Sequence, residues 1–189
     1  SPYHEKDIPD LLNNEVENII IMLCRRSMDL IKDKRFKYIM AFRNYGQAAG
    51  ASLEHPHTQI IALPMVPKNV SEEIKGAENY FDYRERCIFC DVLKQEAVSR
   101  KRRVTENGSY FAFCPFASRS PFEAWVLPKE HSADFSHLKD GDFSDLASVL
   151  KECLIRLRNL LDDPPYNLIL HTAPFRHKKK TGYWKTIEQ

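Results

Sequence analysis

The stretch from Phe42 to Leu63 limits the folds open to this chain more than any other part of the sequence. It reads F-R-N-Y-G-Q-A-A-G-A-S-L-E-H-P-H-T-Q-I-I-A-L and separates one apolar, strand-like segment, Tyr38 to Phe42, from another, Ile60 to Leu63. Gly46 and Gly50, with small residues around them, let backbone N–H groups approach an anion closely, as in phosphate-binding turns. The sequence therefore predicts two strands joined by a long turn that holds a functional site.

Two histidines follow these glycines at once, in His55-Pro56-His57. The proline fixes the local backbone, and residues two apart in an extended segment point to the same face, so both rings and Gln59 are predicted to share one face. An imidazole beside a phosphate-binding turn can attack phosphorus and form a covalent phosphoramidate, which splits one difficult transfer into two easier steps. A single histidine is more often structural, but this combination of residues favours a phosphoryl-transfer site.

Three motifs of the stretch resemble the active-site sequence of the galactose-1-phosphate uridylyltransferase family, a branch of the histidine-triad superfamily. They are Asn44-Tyr45-Gly46, Gly50-Ala51-Ser52 and His55-Pro56-His57-Thr58-Gln59. Relatives with Thr or Ser after the second histidine include ADP-glucose phosphorylase, an adenylyltransferase. The resemblance implies that His57 is the nucleophile that carries the nucleotidyl group and that His55 is a zinc ligand. It also implies a set of residues that contact phosphate: Asn44, Gly50, Ala51, Ser52 and Gln59, the last with a catalytic role.

Composition argues for a folded protein without a nucleic-acid or membrane partner. The chain has 189 residues and 43% hydrophobic content, which is enough for a packed core. Its net charge of +2 is too small to indicate nucleic-acid binding. No apolar run approaches the roughly 20 residues of a membrane helix, and nothing resembles a signal peptide, so we expect a cytoplasmic protein. The five cysteines are irregularly spaced, which argues against a disulfide framework.

Hydrophobic periodicity predicts an α+β protein. Apolar residues at helical spacing predict helices from Asp10 to Asp33 and from Asp142 to Leu161, and residues 69–86 are either a polar helix or a long connection. Apolar and aromatic runs predict five strands. These strands are Phe36 to Phe42, Thr58 to Leu63, Ser109 to Cys114, Phe122 to Leu127 and Tyr166 to His171.

The order of histidine, helix and strand occurs twice in the chain. His4 and His131 lie 127 positions apart, as do Asn44 and His171, and the same shift superimposes the two predicted helices. This duplication resembles the two histidine-triad units of the uridylyltransferases, each an antiparallel half-barrel sheet with packed helices. We expect residues 1–68 to form the C-terminal part of the first unit, 69–86 a connection, and 87–189 the N-terminal part of the second. Both units would then be incomplete, so the chain is interpreted as an internal piece of a longer protein.

Cys87 and Cys90 have the Cys-x-x-Cys spacing that lets two thiolates bind one tetrahedral zinc ion. A redox pair is the alternative, but the sequence around them lacks the strand-to-helix pattern of a thioredoxin-like site, so zinc is favoured. The resemblance adds His131 as the third ligand. The fourth would come from beyond Gln189 or be supplied locally, with His171 or His177 as less favoured substitutes.

The resemblance also implies a further zinc site in the first unit. His4 and His55 match its two histidine ligands, and the cysteines that complete it in the family would precede Ser1. Related uridylyltransferases have, in addition, a carboxylate ligand of a second metal soon after the nucleophile. Glu73 is the candidate for that ligand, although acidic residues are common near helix starts.

The predicted reaction is nucleotidyl transfer through a covalent nucleotidyl-histidine. The first prediction is a UDP-glucose:galactose-1-phosphate uridylyltransferase of galactose metabolism, whose partners are a nucleotide sugar and a sugar phosphate and whose family members are often homodimers. ADP-glucose phosphorylase is the alternative, because Leu53-Glu54 and Thr58 depart from the Asn-Pro and Gly that are usual in uridylyltransferases. Hydrolysis and a non-catalytic, zinc-stapled nucleotide-binding module are the other hypotheses.

Overall fold

Two long amphipathic helices form where apolar residues recur every three or four positions. In the computed structural model, which describes residues 3–175, they are α1 (Asn13–Leu30) and α4 (Asp142–Leu161). Helix α4 has the predicted bounds. Helix α1 is shorter than predicted because a turn of 3-10 helix, Ile8–Asp10, precedes it and the chain leaves the helix after Leu30.

Of two shorter helices, α2 (Lys68–Arg84) occupies the predicted connection and α3 (Ile88–Ser99) lies at the start of the predicted second unit. Helix α2 settles the choice between helix and connection for residues 69–86, and α3 was not predicted. Each is followed by a residue with positive φ, Glu85 at 54° and Arg100 at 52°, which turns the chain sharply. Within residues 3–175, no helix combines the length and the apolar composition needed to cross a membrane.

The first sheet has the strand order β2-β1-β6, and both pairs are antiparallel. The strands are β1 (Tyr38–Tyr45), β2 (Thr58–Leu63) and β6 (Tyr166–Leu170). β2 has the predicted bounds, and β1 begins two residues later and extends further than predicted, to the first glycine of the turn. In the central strand, Arg43 lies opposite Thr58 on one side and Leu168 on the other.

The second sheet has the order β3-β4-β5, also antiparallel. Its strands are β3 (Arg103–Glu106), which was not predicted, β4 (Tyr110–Phe113) and β5 (Trp125–Pro128). All four residues of β4 are buried. Because Tyr110 and Ala112 pack with Val149 of α4, this sheet is fixed to the same helix that supports the rest of the core.

The main core lies between α1 and α4. Its fully buried members come from the first 20 residues and from α4, and Tyr166 and Leu168 of β6 pack against them. They are Ile8, Leu11, Val16, Ile20, Ala147 and Leu154. The predicted α+β class is therefore confirmed, with a core built jointly by both segments of the repeat.

The repeated order is visible in the fold. Helix α1 begins at Asn13 and α4 at Asp142, while β1 begins at Tyr38 and β6 at Tyr166, close to the shift that relates the two histidines. The two helices pack on each other, and the two strands pair antiparallel in one sheet. Equivalent elements of the two segments are thus neighbours in space.

Candidate active site

The turn between β1 and β2 depends on two glycines with positive φ. Gly46 and Gly50 both have φ of 81°, in the region that side chains rarely adopt, and they flank a 3-10 turn, Gln47–Ala49. A Cβ atom on Gly46 would lie 3.0 Å from the Cβ of Pro165, so this glycine is also needed for close packing. Backbone conformation and packing together explain why glycine stands at the first of these two positions.

The turn uses several of its N–H groups for its own hydrogen bonds. Ala49 and Ala51 donate to the carbonyl of Gly46 at 3.1 and 3.2 Å, and Gly50 donates to Gln47 at 3.0 Å. Phosphate contact through the N–H groups of Gly50 or Ala51 would therefore require an exchange of these bonds. Ser52, which follows them, is exposed.

His57 is half-buried immediately before β2, and its Nδ1 lies 2.9 Å from the carbonyl oxygen of His55. A carbonyl oxygen only accepts hydrogen bonds, so Nδ1 carries the proton and donates it. The lone pair of the neutral ring is then on Nε2, which is the form a nucleophile requires. Gln59 follows as the second residue of β2, half-buried and opposite Phe42.

His4 and His55, which were predicted as ligands of one metal, lie next to each other. Their Nδ1 atoms are 3.1 Å apart, and the ring centroids are 4.4 Å apart with the planes nearly perpendicular. The fold therefore brings together two imidazoles that are 51 positions apart in sequence. Two imidazoles alone are a weak chelate compared with a four-ligand zinc site.

Two asparagines connect the turn to the sheet. Asn44, predicted to contact phosphate, lies opposite Asn167 of β6 and accepts a hydrogen bond from its Nδ2 at 2.9 Å. The same Nδ2 donates to the carbonyl of Ala49 at 2.8 Å, while Asn44 Nδ2 donates to the carbonyl of Gly50 at 3.4 Å. The sequence interpretation did not include Asn167.

A buried charged network lies on the core side of the same strands, and the sequence interpretation missed it. Arg43 donates from Nε to Asp7 Oδ1 at 2.9 Å and also from Nη2 to the same oxygen, and both side chains are almost fully buried. Arg43 Nη1 donates to Thr58 Oγ1 at 3.3 Å, and the Tyr166 hydroxyl donates to Asp7 Oδ2. Burial and the neighbouring Asp7 carboxylate raise the pKa of Tyr166. The signal available in the sequence was an arginine inside an otherwise apolar strand, since buried arginine is nearly always paired.

Cys87, Cys90 and His131 meet at the start of α3. Cys87 precedes the first residue of the helix, Cys90 lies in its first turn, and His131 follows β5. Their ligand atoms all lie within 4.8 Å of one another, with Cys90 Sγ 3.0 Å from His131 Nδ1. This donor set, two sulfur atoms and one nitrogen, suits a single metal ion.

Burial shifts the pKa values of two members of this cluster. Burial, and then the neighbouring Cys87, raise the pKa of Cys90 to about 11. Burial lowers the pKa of His131, which favours the neutral ring that metals bind. A bound cation would reverse the effect on the thiols, because it stabilises thiolates. The chain before Cys87 is helix α2 and not the strand of a thioredoxin-like site.

Glu73 and His171 form a pair outside that cluster. His171 Nδ1 lies 3.0 Å from Glu73 Oε2, and this hydrogen bond raises the pKa of His171. Glu73 is the predicted carboxylate ligand. Its partner His171 was considered in the sequence analysis as a substitute fourth ligand of the Cys87, Cys90 and His131 site. His171 is not part of the Cys87, Cys90 and His131 group, and His177 lies outside the described residues.

Comparison with known proteins identifies relatives of both segments. Residues 73–186 match the family described as galactose-1-phosphate uridyl transferase, C-terminal domain, and residues 2–66 match the N-terminal domain of the DUF4931 family, a domain of unknown function. The ADP-glucose phosphorylase of Arabidopsis thaliana is 36% identical over 176 residues, which are 93% of this chain and 49% of the relative. The galactose-1-phosphate uridylyltransferase of Thermotoga maritima is 32% identical over 182 residues, 96% of this chain and 57% of the relative.

The fold is also similar to solved structures. An ADP-glucose phosphorylase from Arabidopsis thaliana with bound ADP-glucose superimposes with a TM-score of 0.88 and 35% identity, over 95% of this chain and 56% of that one. The chain therefore spans about half the length of the relatives that it matches. The family match to residues 73–186 covers more than half of the chain, so the chain belongs to the galactose-1-phosphate uridylyltransferase family.

Proposed function

We propose that this chain carries the nucleophile of a nucleotidyltransferase that works through a covalent nucleotidyl-histidine at His57. The observation that carries the proposal is the hydrogen bond of 2.9 Å between His57 Nδ1 and the carbonyl oxygen of His55. It fixes the tautomer with the lone pair on Nε2 and restrains the ring beside a glycine-containing turn. The family to which the chain belongs and its relatives, named as nucleotidyltransferase-type enzymes, support the same reaction class.

In the first step, the lone pair of His57 Nε2 attacks the α-phosphorus of a nucleoside diphosphate sugar. An N–P bond forms, the bond from the α-phosphorus to the bridging oxygen breaks, and that oxygen leaves with the electron pair as part of the sugar 1-phosphate. The ring becomes positively charged, and the donated Nδ1–H bond to the His55 carbonyl stabilises this charge. In the second step, an oxygen of an acceptor phosphate attacks the same phosphorus and His57 leaves as the neutral imidazole. Such a reaction gives ping-pong kinetics.

Three polar side chains are proposed to meet the charge that develops on the phosphoryl oxygens. Gln59 is the second residue of β2, two positions after His57, and Ser52 is exposed in the turn. Asn44 is the penultimate residue of β1 and donates to the Gly50 carbonyl. Donors that are in place before the reaction stabilise a transition state without reorganisation.

Zinc is proposed at Cys87, Cys90 and His131, whose soft sulfur and imidazole donors are the ligands it prefers. Its contribution there would be structural, since it would join the start of α3 to the loop after β5. His4 and His55 are proposed as two ligands of a second zinc ion, and Glu73 as a carboxylate ligand close to His171.

For substrates, we propose UDP-glucose and galactose 1-phosphate first, in galactose metabolism, as in the relatives named galactose-1-phosphate uridylyltransferase. ADP-glucose with phosphate as acceptor is the second candidate. It is favoured by Thr58, because the sequence resemblance associates Thr or Ser after the second histidine with ADP-glucose phosphorylase. The similarity to the Arabidopsis ADP-glucose phosphorylase supports the same candidate.

The test is the intact mass of the full-length natural protein at neutral pH after separate incubation with UDP-glucose and ADP-glucose. We expect an adduct of one nucleotidyl group that is absent in His57→Ala. A uridylyl adduct would support the first substrate pair and an adenylyl adduct the second. Release of nucleoside monophosphate with no adduct would point to hydrolysis with water as acceptor. If neither donor reacts although zinc is bound, the covalent mechanism is wrong and a nucleotide-binding module remains.

A further inference from the structure

The segment from Asp163 to Asn167 belongs to the second repeat but contacts the turn before the nucleophile. The segment leads from the end of α4 into β6, and β6 pairs with β1, the strand that enters the turn. This pairing brings residues near position 165 against residues 44–49. The turn is thus supported by chain that lies more than 100 positions further along the sequence.

Three contacts secure the start of the turn. The Tyr45 hydroxyl donates to Asp163 Oδ2 at 2.8 Å, and the Tyr45 ring stacks on Tyr166 with centroids 5.2 Å apart. Burial, and then the bond to Asp163, raise the pKa of Tyr45 to about 12, so its hydroxyl remains a donor at neutral pH. Gly46 packs closely on Pro165, where an added Cβ atom would lie only 3.0 Å from the Pro165 Cβ.

Within the segment from Asp163 to Asn167, it is Asn167 that holds the middle of the turn. Its Nδ2 donates both to Asn44 Oδ1 at 2.9 Å and to the Ala49 carbonyl at 2.8 Å. A side-chain amide offers two N–H donors in one plane, so a single group can join the end of the strand to the turn. Neither leucine nor aspartate, which have almost the same shape, can donate these bonds.

We propose that Asn167 is a positioning residue for nucleotidyl transfer, which holds the turn from Gly46 to Ser52 in the form that receives the substrate phosphates. This inference rests on the proposed function of His57. Catalysis by placed donors requires that the turn is ordered before the substrate arrives, because ordering it during the reaction would raise the barrier. Asn167 touches the turn and not the reacting atoms, so its effect acts through Asn44 and Ala49.

The experiment compares the variants Asn167→Leu and Asn167→Asp with wild type in the full-length natural protein. The matched control is Asn159→Leu, which replaces an exposed asparagine on α4. Three quantities are measured: the rate of nucleotidyl-enzyme formation at saturating donor, amide hydrogen exchange of the turn by NMR, and the melting temperature. Ala49, Gly50 and Ala51 report on the turn, because their N–H groups donate within it.

We expect both Asn167 variants to lower the rate of adduct formation by roughly tenfold, the effect of losing one or two hydrogen bonds, with the melting temperature close to that of Asn159→Leu. The three turn amides should exchange faster in both variants. Wild-type rate and exchange in both variants would overturn the proposal, as would a rate loss that follows the melting temperature without local change in exchange. If wild type forms no adduct with either donor, the proposed function fails, while the exchange data still decide whether Asn167 holds the turn.

Discussion

Asp7 and Arg43 form an ion pair that is almost completely withdrawn from water, with exposures of 3% and 2%. Removing two charges from water is unfavourable unless their remaining donors and acceptors are also bonded. Here Tyr166 donates to the second carboxylate oxygen, and Thr58 accepts from the guanidinium. The pair therefore joins the start of the first 3-10 turn to strands β1, β2 and β6.

Removing one partner of this pair should destabilise the protein strongly. Asp7→Ala leaves the Arg43 guanidinium buried without its counter-charge, and we expect a loss of about 3–5 kcal/mol in the free energy of unfolding, measured with urea. The double variant Asp7→Leu with Arg43→Met removes both charges and should lose less than the sum of the losses of Asp7→Leu alone and Arg43→Met alone. Additive losses would show that the two side chains are not energetically coupled.

Thiol reactivity separates the cysteines of the proposed metal site from the buried ones. Cys153 is buried, with 4% of its surface exposed, so an alkylating reagent cannot reach it in the folded protein, whereas Cys87 and Cys90 are only half-buried. We expect Cys87 and Cys90 of the zinc-loaded protein to resist alkylation until a chelator removes the metal, and Cys153 to stay unmodified before and after. Peptide mass mapping gives the result for each cysteine. Equal alkylation of Cys87 and Cys90 with and without chelator would contradict metal binding there.

At the scale of single elements, the turn between β1 and β2 has two glycines with the same φ but different surroundings. A Cβ on Gly46 would press on Pro165, whereas a Cβ on Gly50 would meet only the Asn44 Nδ2 atom at 3.7 Å. The two positions also differ in backbone conformation: Gly50, with ψ of 24°, lies in the left-handed helical region, whereas Gly46, with ψ of 151°, lies in a region that is nearly restricted to glycine.

Alanine substitution should show this difference. Gly50→Ala is expected to lose about 1–2 kcal/mol from the left-handed backbone conformation. Gly46→Ala should lose more, because its backbone region is less accessible to alanine and because the new Cβ would press on Pro165. Both losses are measured as changes in the free energy of unfolding, and a larger loss for Gly50→Ala would contradict both reasons.

Elements with their own periodicity were predictable from the sequence, and elements that depend on neighbours were not. Helix α4 and strand β2 have the predicted bounds because each carries a clear apolar pattern between definite ends. β3 has only four residues, two of them charged, and it exists by pairing with β4 through an irregular register. Helix α3 was missed because its first residues were interpreted for their cysteine spacing, although its C-terminal part is anchored by buried Glu96, which accepts from Arg102.

At the scale of the whole molecule, both segments of the repeat share one core. Leu154 of α4 packs in the cluster that contains Val16 and Ile20 of α1, and the neighbouring Val149 packs against β4. A destabilising substitution in α4 should therefore reduce the stability of both sheets. The β6 strand adds a second connection through its pairing with β1.

Leu154→Ala is expected to lower the free energy of unfolding by about 2–5 kcal/mol, because it leaves a cavity in the shared core. The protection of β1 and β4 amides in native-state hydrogen exchange should fall by the same amount, as for one cooperative unit. Leu160→Ala, at an exposed position of the same helix, is the control and should change little. If the protection of only one sheet falls, the segments unfold separately.

The sequence predicted the site residues that stand together in one motif. It did not predict those that are brought to the site only by folding. His55, His57 and Gln59 stand in one motif, and the repeat register pointed to His4 and His131. Asn167 is an ordinary asparagine in a strand pattern. Its role depends on the register of β6 against β1, which no local signal specifies.

The antiparallel pairing of β1 with β6, together with the contact between α1 and α4, has the arrangement of a two-fold symmetric dimer whose subunits have been fused into one chain. In a homodimer one gene specifies both copies, so every substitution in one strand is imposed on its partner. Fusion removes that constraint and lets the copies specialise. Here β1 leads to the turn and to His57, the proposed nucleophile, while β6 supplies Asn167. In our proposal, one strand of the repeat would serve chemistry and the other would support it.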